Sequence, residues 1–199
     1  MKVLVFLSLF VAGSMAMAEA VPGKPAPAFE TAAADGKTHK LSDYAGKWIV
    51  MEWYNKDCPY VKKHYGSNNM QELQKTYTNK GVVWLSVNSS AKGKEGYTDA
   101  AEAMKVAKDA KSSATAVLLD PTGVVGKAYG AKTTPHMFVV DPKGIVVYAG
   151  AIDDNNSSDP GVIFKSKNYV TTALDAAMAG KKVETASTKP YGCGTKYAN

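Results

Sequence analysis

The chain has 199 residues, 45% of them apolar and 21% charged, a balance that supports one folded domain with a sizeable core and excludes wholesale disorder. All 24 basic residues are lysine, so any mechanism that needs a guanidinium is excluded, the arginine finger and the two-pronged phosphate clamp among them. The formal charge of +6 is spread along the chain with no cluster beyond a pair (Lys62-Lys63, Lys181-Lys182), which reads as a solvated surface and predicts no nucleic-acid partner.

Lys2 is followed by an apolar run, Val3 to Ala12, too short to span a bilayer comfortably. Ala16-Met17-Ala18 then has the small-x-small form of a signal-peptidase site. Residues 1–18 are therefore expected to be a signal peptide cleaved before Glu19; the alternative is an uncleaved anchor. No second long apolar stretch follows, so the mature chain is expected to be exported, periplasmic or secreted, with no stable membrane insertion. Residues 19–180 are expected to form the domain and 181–199 an irregular tail.

Val21–Phe29 is proline-rich and extended, and Asp35-Gly36-Lys37 reads as a turn. Trp48–Tyr54 is a short apolar run of strand-forming residues, hence a buried strand. Pro59 suits the first position of a helix through Tyr65, because its missing N–H would lack a partner there in any case. Gly66-Ser67-Asn68-Asn69 interrupts, and a second helix carries Met70, Leu73 and Tyr77 on one face until Asn79-Lys80-Gly81. Val82–Val87 is the next strand. Thr98–Lys111 is an alanine-rich helix with acids early and lysines late, as its dipole prefers. Ala116–Leu119 is a third strand, Val124–Tyr129 a short helix, and Met137–Val140, Asp141-Pro142-Lys143-Gly144 and Ile145–Tyr148 a hairpin. Asn168–Ala179 is the last helix. Strands alternating with helices and closed by an antiparallel hairpin predict an α/β fold, a central mixed sheet flanked by helices.

The chemistry concentrates at the end of the first long strand, in Trp53-Tyr54-Asn55-Lys56-Asp57-Cys58-Pro59. A thiol at a helix N-terminus faces unpaired N–H groups and the positive end of the dipole, both of which favour thiolate. Lys56, Lys62 and Lys63 add positive charge nearby, and the polar residues before Cys58 predict exposure. A thiolate there suits thiol–disulfide exchange or attack on a peroxide. The bland alternative is a small buried hydrophobe.

A second signal is Thr133-Thr134-Pro135-His136 just before a strand. A strand–Cys–helix unit followed about 75 residues later by Thr-Pro and a hairpin is the thioredoxin layout, in which the proline is cis and faces the cysteine. The segments Cys58-Pro59-Tyr60-Val61-Lys62, Thr133-Thr134-Pro135, Asp141-Pro142-Lys143-Gly144, Tyr148-Ala149-Gly150-Ala151-Ile152-Asp153-Asp154-Asn155 and Tyr191-Gly192-Cys193 together resemble the peroxiredoxin-like, AhpC/TSA-type (redoxin) branch of the thioredoxin superfamily. The resemblance implies a thioredoxin fold, a redox-active Cys58, and a substrate groove walled by Pro59, Tyr60, Thr134 and Pro135. It implies a thiol or disulfide protein, or a small molecule such as a peroxide, as substrate, an electron donor the sequence does not identify, and no cofactor. The departures matter. Val61 stands where thioredoxins carry their second cysteine, Asn55 stands where peroxiredoxins carry threonine, and no arginine exists to activate peroxide.

The remaining cysteine, Cys193, lies in the tail, flanked by glycines. The 13 residues from Gly180 allow a reach of roughly 45 Å, against a radius of gyration of roughly 16 Å for a domain of this size, so it can meet Cys58. Three readings stand: a resolving thiol that cycles with Cys58, a permanent staple, or a thiol left free or paired with another chain. The function expected is an exported thiol-disulfide oxidoreductase using Cys58, with thiol peroxidase, or a non-catalytic copper- or partner-binding module, as alternatives. Two cysteines are too few for an all-cysteine zinc site, and His39, His64 and His136 show no metal spacing. His136, beside Pro135, is the histidine best placed to tune Cys58. Asp153-Asp154-Asn155 fits no calcium loop and reads as a polar loop.

Overall fold

The computed structural model describes residues 19–198, so the expected signal peptide lies outside the described residues. Among those described, no helix is long and apolar enough to cross a membrane.

The domain opens with a small antiparallel hairpin, β1 (Glu30–Ala32) and β2 (Thr38–Lys40), which the sequence announced only by its turn. There the Asp35 carboxylate accepts the Lys37 N–H at 3.0 Å and Gly36 takes a positive φ. Next come β3 (Ile49–Trp53), α1 (Pro59–Gly66), α2 (Asn69–Thr78), β4 (Val83–Asn88), α3 (Ala100–Asp109), β5 (Ala116–Leu119) and α4 (Val124–Tyr129). A two-residue strand β6 (Thr133–Thr134) precedes the hairpin β7 (His136–Val140) and β8 (Val146–Gly150), then α5 (Tyr169–Met178). Last is β9 (Cys193–Gly194), which the sequence reading did not foresee. The break between α1 and α2 falls where expected, with Asn68 in the left-handed region at φ 63°.

The main sheet has strand order β5-β4-β3-β7-β8. β3 runs parallel to β4, and β4 to β5, while β7 is antiparallel to both β3 and β8. This is the expected mixed sheet of a thioredoxin fold. Its central strand is buried along its whole length, so side-chain alternation feeds two cores. Ile49, Met51 and Trp53 face one, with Phe29, Tyr129 and Phe138. Val50 faces the other, with Met70 and Tyr77 of α2 and Val170, Ala173 and Leu174 of α5. The Tyr77 hydroxyl donates to Asp175 at 2.9 Å and ties those two helices together. Trp53 meets Phe138 edge-on at 5.2 Å between ring centroids, which fixes the end of β3 just before the cysteine loop.

The tail is irregular for most of its length but is not loose. Thr188 accepts the Ala151 N–H on its hydroxyl at 2.9 Å and donates its own N–H to Ala149. Further on, Ala91 N–H donates to Lys196 O at 2.8 Å, and the Tyr197 hydroxyl donates to Ala131 O at 2.7 Å. The tail crosses the C-terminal end of the sheet, held on both sides of Cys193.

Candidate functional site

Cys58 is the N-cap residue of α1, with Pro59 as the first helical residue. Its N–H donates to Asn55 O, and its carbonyl accepts the Lys62 N–H at 2.9 Å. Asn55 shapes this loop: its side-chain oxygen accepts the Asp57 N–H at 2.8 Å and its amide donates to Glu95 O. The loop passes so close that a Cβ on Gly96 would lie 2.1 Å from that oxygen. The position where a peroxiredoxin carries threonine is thus occupied by a loop-fixing amide.

Across from Cys58 is the Thr134–Pro135 peptide, which is cis. Cys58 Sγ lies 3.0 Å from Thr134 O. The tail completes the site: β9 pairs antiparallel with β6, Cys193 opposite Thr134 and Gly194 opposite Thr133. Both cysteines are unbridged, and their thiols share a hydrogen bond. Burial works against charge on Cys58, yet hydrogen bonds from Cys193 and from the Val61 and Cys193 N–H groups outweigh it and hold this thiol below its ordinary value. Burial and the hydrogen bond to Cys58 push the Cys193 thiol up to about 12. Of the two sulfurs, Cys58 is the one that ionises more readily and Cys193 the one that holds its proton more tightly.

Two expectations are corrected here. Cys58 is 0% exposed, not exposed, because the docked tail covers it, while Cys193 is partly exposed. The lysines are placed otherwise than their sequence spacing implied. Lys56 pairs with Asp57 at 3.0 Å and Glu102 at 3.5 Å, and Lys63 is fully buried beside Asp153 at 3.4 Å. Their charge is spent on carboxylates, and hydrogen bonds account for the lowered Cys58. Lys62 is exposed on α1. Tyr60 packs its ring on Tyr191 of the tail, 5.7 Å between centroids.

His136 is buried at the start of β7, its Nδ1 accepting the Lys132 N–H at 3.3 Å and its ring 4.4 Å from that of Phe138. Burial keeps it neutral, down to about 3, and His64 on α1 is likewise held down to about 4 by burial. Both rings charge in the unfolded chain below about pH 6.5 but stay neutral in the fold, so stability is complete above that pH and drains as pH falls toward 4 and 3. Each pKa unit is worth about 1.4 kcal/mol. Melting temperature is expected to fall steeply between pH 6.5 and 4, and His136→Gln, whose side-chain oxygen can accept the same N–H, should flatten part of that slope; an unchanged slope counts against this assignment.

Two buried charge sites escaped the sequence reading. Glu52, six residues before Cys58, is 0% exposed and accepts from Trp84 Nε1 (2.9 Å), Tyr65 (3.0 Å), Gln74 (3.2 Å) and Ser86 (3.3 Å). Burial nonetheless leaves its carboxyl above the ordinary range. The only available signal was an acid inside an apolar strand. The other is Asp153, expected in a polar loop but 3% exposed and paired with Lys63, a contact that sequence spacing does not announce. Among the described residues, no group of three or more His, Cys, Asp or Glu is arranged to hold a metal ion.

The thiol-disulfide oxidoreductase ResA of Bacillus thuringiensis is 29% identical over 126 residues, spanning 63% of this chain and 66% of that relative. An uncharacterized conserved protein of Geobacillus kaustophilus superposes with a TM-score of 0.78 at 29% identity, covering 90% of this chain and 93% of its own. The thiol:disulfide interchange protein DsbE of Chlorobium tepidum superposes with a TM-score of 0.51 at 28% identity, covering 64% of this chain and 83% of its own. The AhpC/TSA family matches residues 22–149, which include Cys58, the cis-proline loop and all of the main sheet but the last residue of β8, and the chain belongs to that family.

Proposed function

We propose that this protein is a thiol-disulfide oxidoreductase in which Cys58 is the nucleophile and Cys193 the resolving thiol. The observation that carries this reading is the pairing of two thiols of opposite proton affinity at the cis-proline loop. In the reductive direction the tail lifts from Cys58, whose thiolate attacks one sulfur of a substrate disulfide and expels the other as a thiolate, and the tail then reseats. Cys193 then loses its proton to solvent or to the departing sulfur and attacks the Cys58 sulfur of the mixed disulfide. The second substrate thiolate leaves, the substrate is reduced by two electrons, and the protein holds a Cys58–Cys193 disulfide that an external dithiol restores. The relatives named for thiol-disulfide exchange support protein thiols and disulfides as substrates. Pro59, Tyr60, Thr134 and Pro135 wall the groove, and the N-terminal apolar run with its Ala16-Met17-Ala18 site supports export.

Peroxide reduction is less well supported. There is no arginine, and the Asn55 amide is engaged with the Glu95 loop. Thiol titration with mass mapping tests the main reading. The reduced protein should titrate two thiols; after oxidation with excess oxidised glutathione and removal of all glutathione, the protein should titrate none and yield a linked peptide pair containing Cys58 and Cys193. Two persistent thiols, or a bridge only between chains, would overturn it.

A further inference from the structure

A buried polar cluster holds the segment just before Cys193. The Tyr191 hydroxyl donates to Asp153 Oδ1 at 2.5 Å, accepts from Lys63 Nζ at 3.4 Å, and lies 3.1 Å from His64 Nε2. The Asn69 amide donates to His64 Nδ1 at 2.9 Å, which leaves Nε2 as the protonated nitrogen that donates to the tyrosine oxygen. Lys63 completes its shell with Asn155 O at 2.8 Å and Asp153 at 3.4 Å. An ion pair this deeply buried is tolerated only where its remaining donors and acceptors are satisfied, and here Tyr191 supplies one contact to each partner.

Position gives the cluster its meaning. Lys63 and His64 sit on α1, the helix that Cys58 caps, and Asp153 follows β8, while Tyr191 is two residues before Cys193. The cluster therefore ties the tail to the same helix that presents the other sulfur. Tyr191 leads into Gly192, whose backbone passes so close to Thr134 that a Cβ there would lie 2.1 Å from Thr134 O. Beyond Cys193, the Thr195 N–H donates to Lys132 O at 3.1 Å. Cys193 is thus suspended between a buried anchor on one side and backbone pairing on the other.

We propose that Tyr191, held by Lys63, His64 and Asp153, is a positioning residue that sets the Cys193 sulfur against Cys58, so that this cluster fixes how readily the internal disulfide forms. The inference rests on the exchange reading above and names what controls its second step. Two glutathione thiols are released for each Cys58–Cys193 disulfide made from one oxidised glutathione, which makes the equilibrium constant a direct measure of that positioning.

The test is that constant, measured in reduced and oxidised glutathione, for the full chain and its variants. Tyr191→Phe fills the same volume and keeps the contact with Tyr60, so it should fold. It should lower the constant about tenfold, which is about 30 mV for a two-electron couple, a larger drop than its loss of melting temperature accounts for. His64→Leu should fall in the same direction, and His64→Gln, which can still donate to the tyrosine oxygen, should recover most of the loss. A Tyr191→Phe constant equal to wild type overturns the proposal, as do variants whose constants fall only in step with their melting temperatures. A wild type that forms no Cys58–Cys193 disulfide overturns the exchange reading itself, a result distinguishable from either of these.

Discussion

Cys58→Ser is expected to remove catalysed disulfide exchange altogether, a loss of more than about a thousandfold in turnover. A serine hydroxyl does not ionise near neutral pH, and the environment that lowers the thiol cannot bring an alcohol within range. Cys193→Ala should behave differently. It retains the attacking sulfur, so it should make the first mixed disulfide once per chain and stall there, visible as a stable mass adduct on Cys58. It also removes the hydrogen bond from Cys193 that favours the Cys58 thiolate, so the alkylation profile of Cys58 should move to higher pH. Steady-state reduction of oxidised glutathione, together with intact mass of the stalled species, separates the two variants. A Cys58→Ser protein that still turns over would place the chemistry elsewhere.

Gly192→Ala should be the most damaging change that touches neither sulfur. Gly192 has φ 127°, a region L side chains rarely adopt, and the added Cβ would lie 2.1 Å from Thr134 O and 2.8 Å from its carbonyl carbon. The neighbour is backbone, and Thr134 is itself paired with Cys193, so relief requires the tail to lift. Backbone strain alone costs about 1–3 kcal/mol, and with the clash the internal disulfide should become more than tenfold less favourable. Cys58 should react faster with a bulky alkylating reagent, because its cover is raised. Gly194→Ala is the control: a Cβ there meets nothing within 4 Å. Equal behaviour of the two alanine variants would refute the close-approach argument.

Much of this architecture was legible in the residues. The strand–cysteine–proline unit, the broken helix at Asn68 and the Asp141–Gly144 turn each carry local signals, and local signals are what a single sequence displays. The cysteine site was legible as a pair of candidate sulfurs and a Thr-Pro wall. Its electrostatics were not. Lys56, Lys62 and Lys63 are adjacent to Cys58 in sequence, but helix geometry turns Lys63 inward to a carboxylate 90 positions away. The exposure of Cys58 was misread for a related reason: the cover comes from a tail whose pairing with β6 is written in two residues only, too few to show any periodicity. The buried acid Glu52 was visible as an anomaly in an apolar strand, yet its four donors come from three separate elements.

The separation of the two sulfurs along the chain has a consequence for how activity ends. A Cys-x-x-Cys pair keeps its sulfurs three positions apart even in a denatured peptide, so its dithiol chemistry outlasts the fold. Cys58 and Cys193 are 135 positions apart, and only the seating of the tail on the cis-proline loop brings them together. Their effective concentration collapses once that segment detaches, because closing so long a loop in a disordered chain is entropically unfavourable. On the exchange reading the tail must lift to admit a substrate disulfide and reseat to release the product, so a tail that stays detached, with the sheet intact, stalls the cycle. On that reading, redox cycling is a property of tertiary structure and is lost when the tail fails to reseat, before the sheet unfolds.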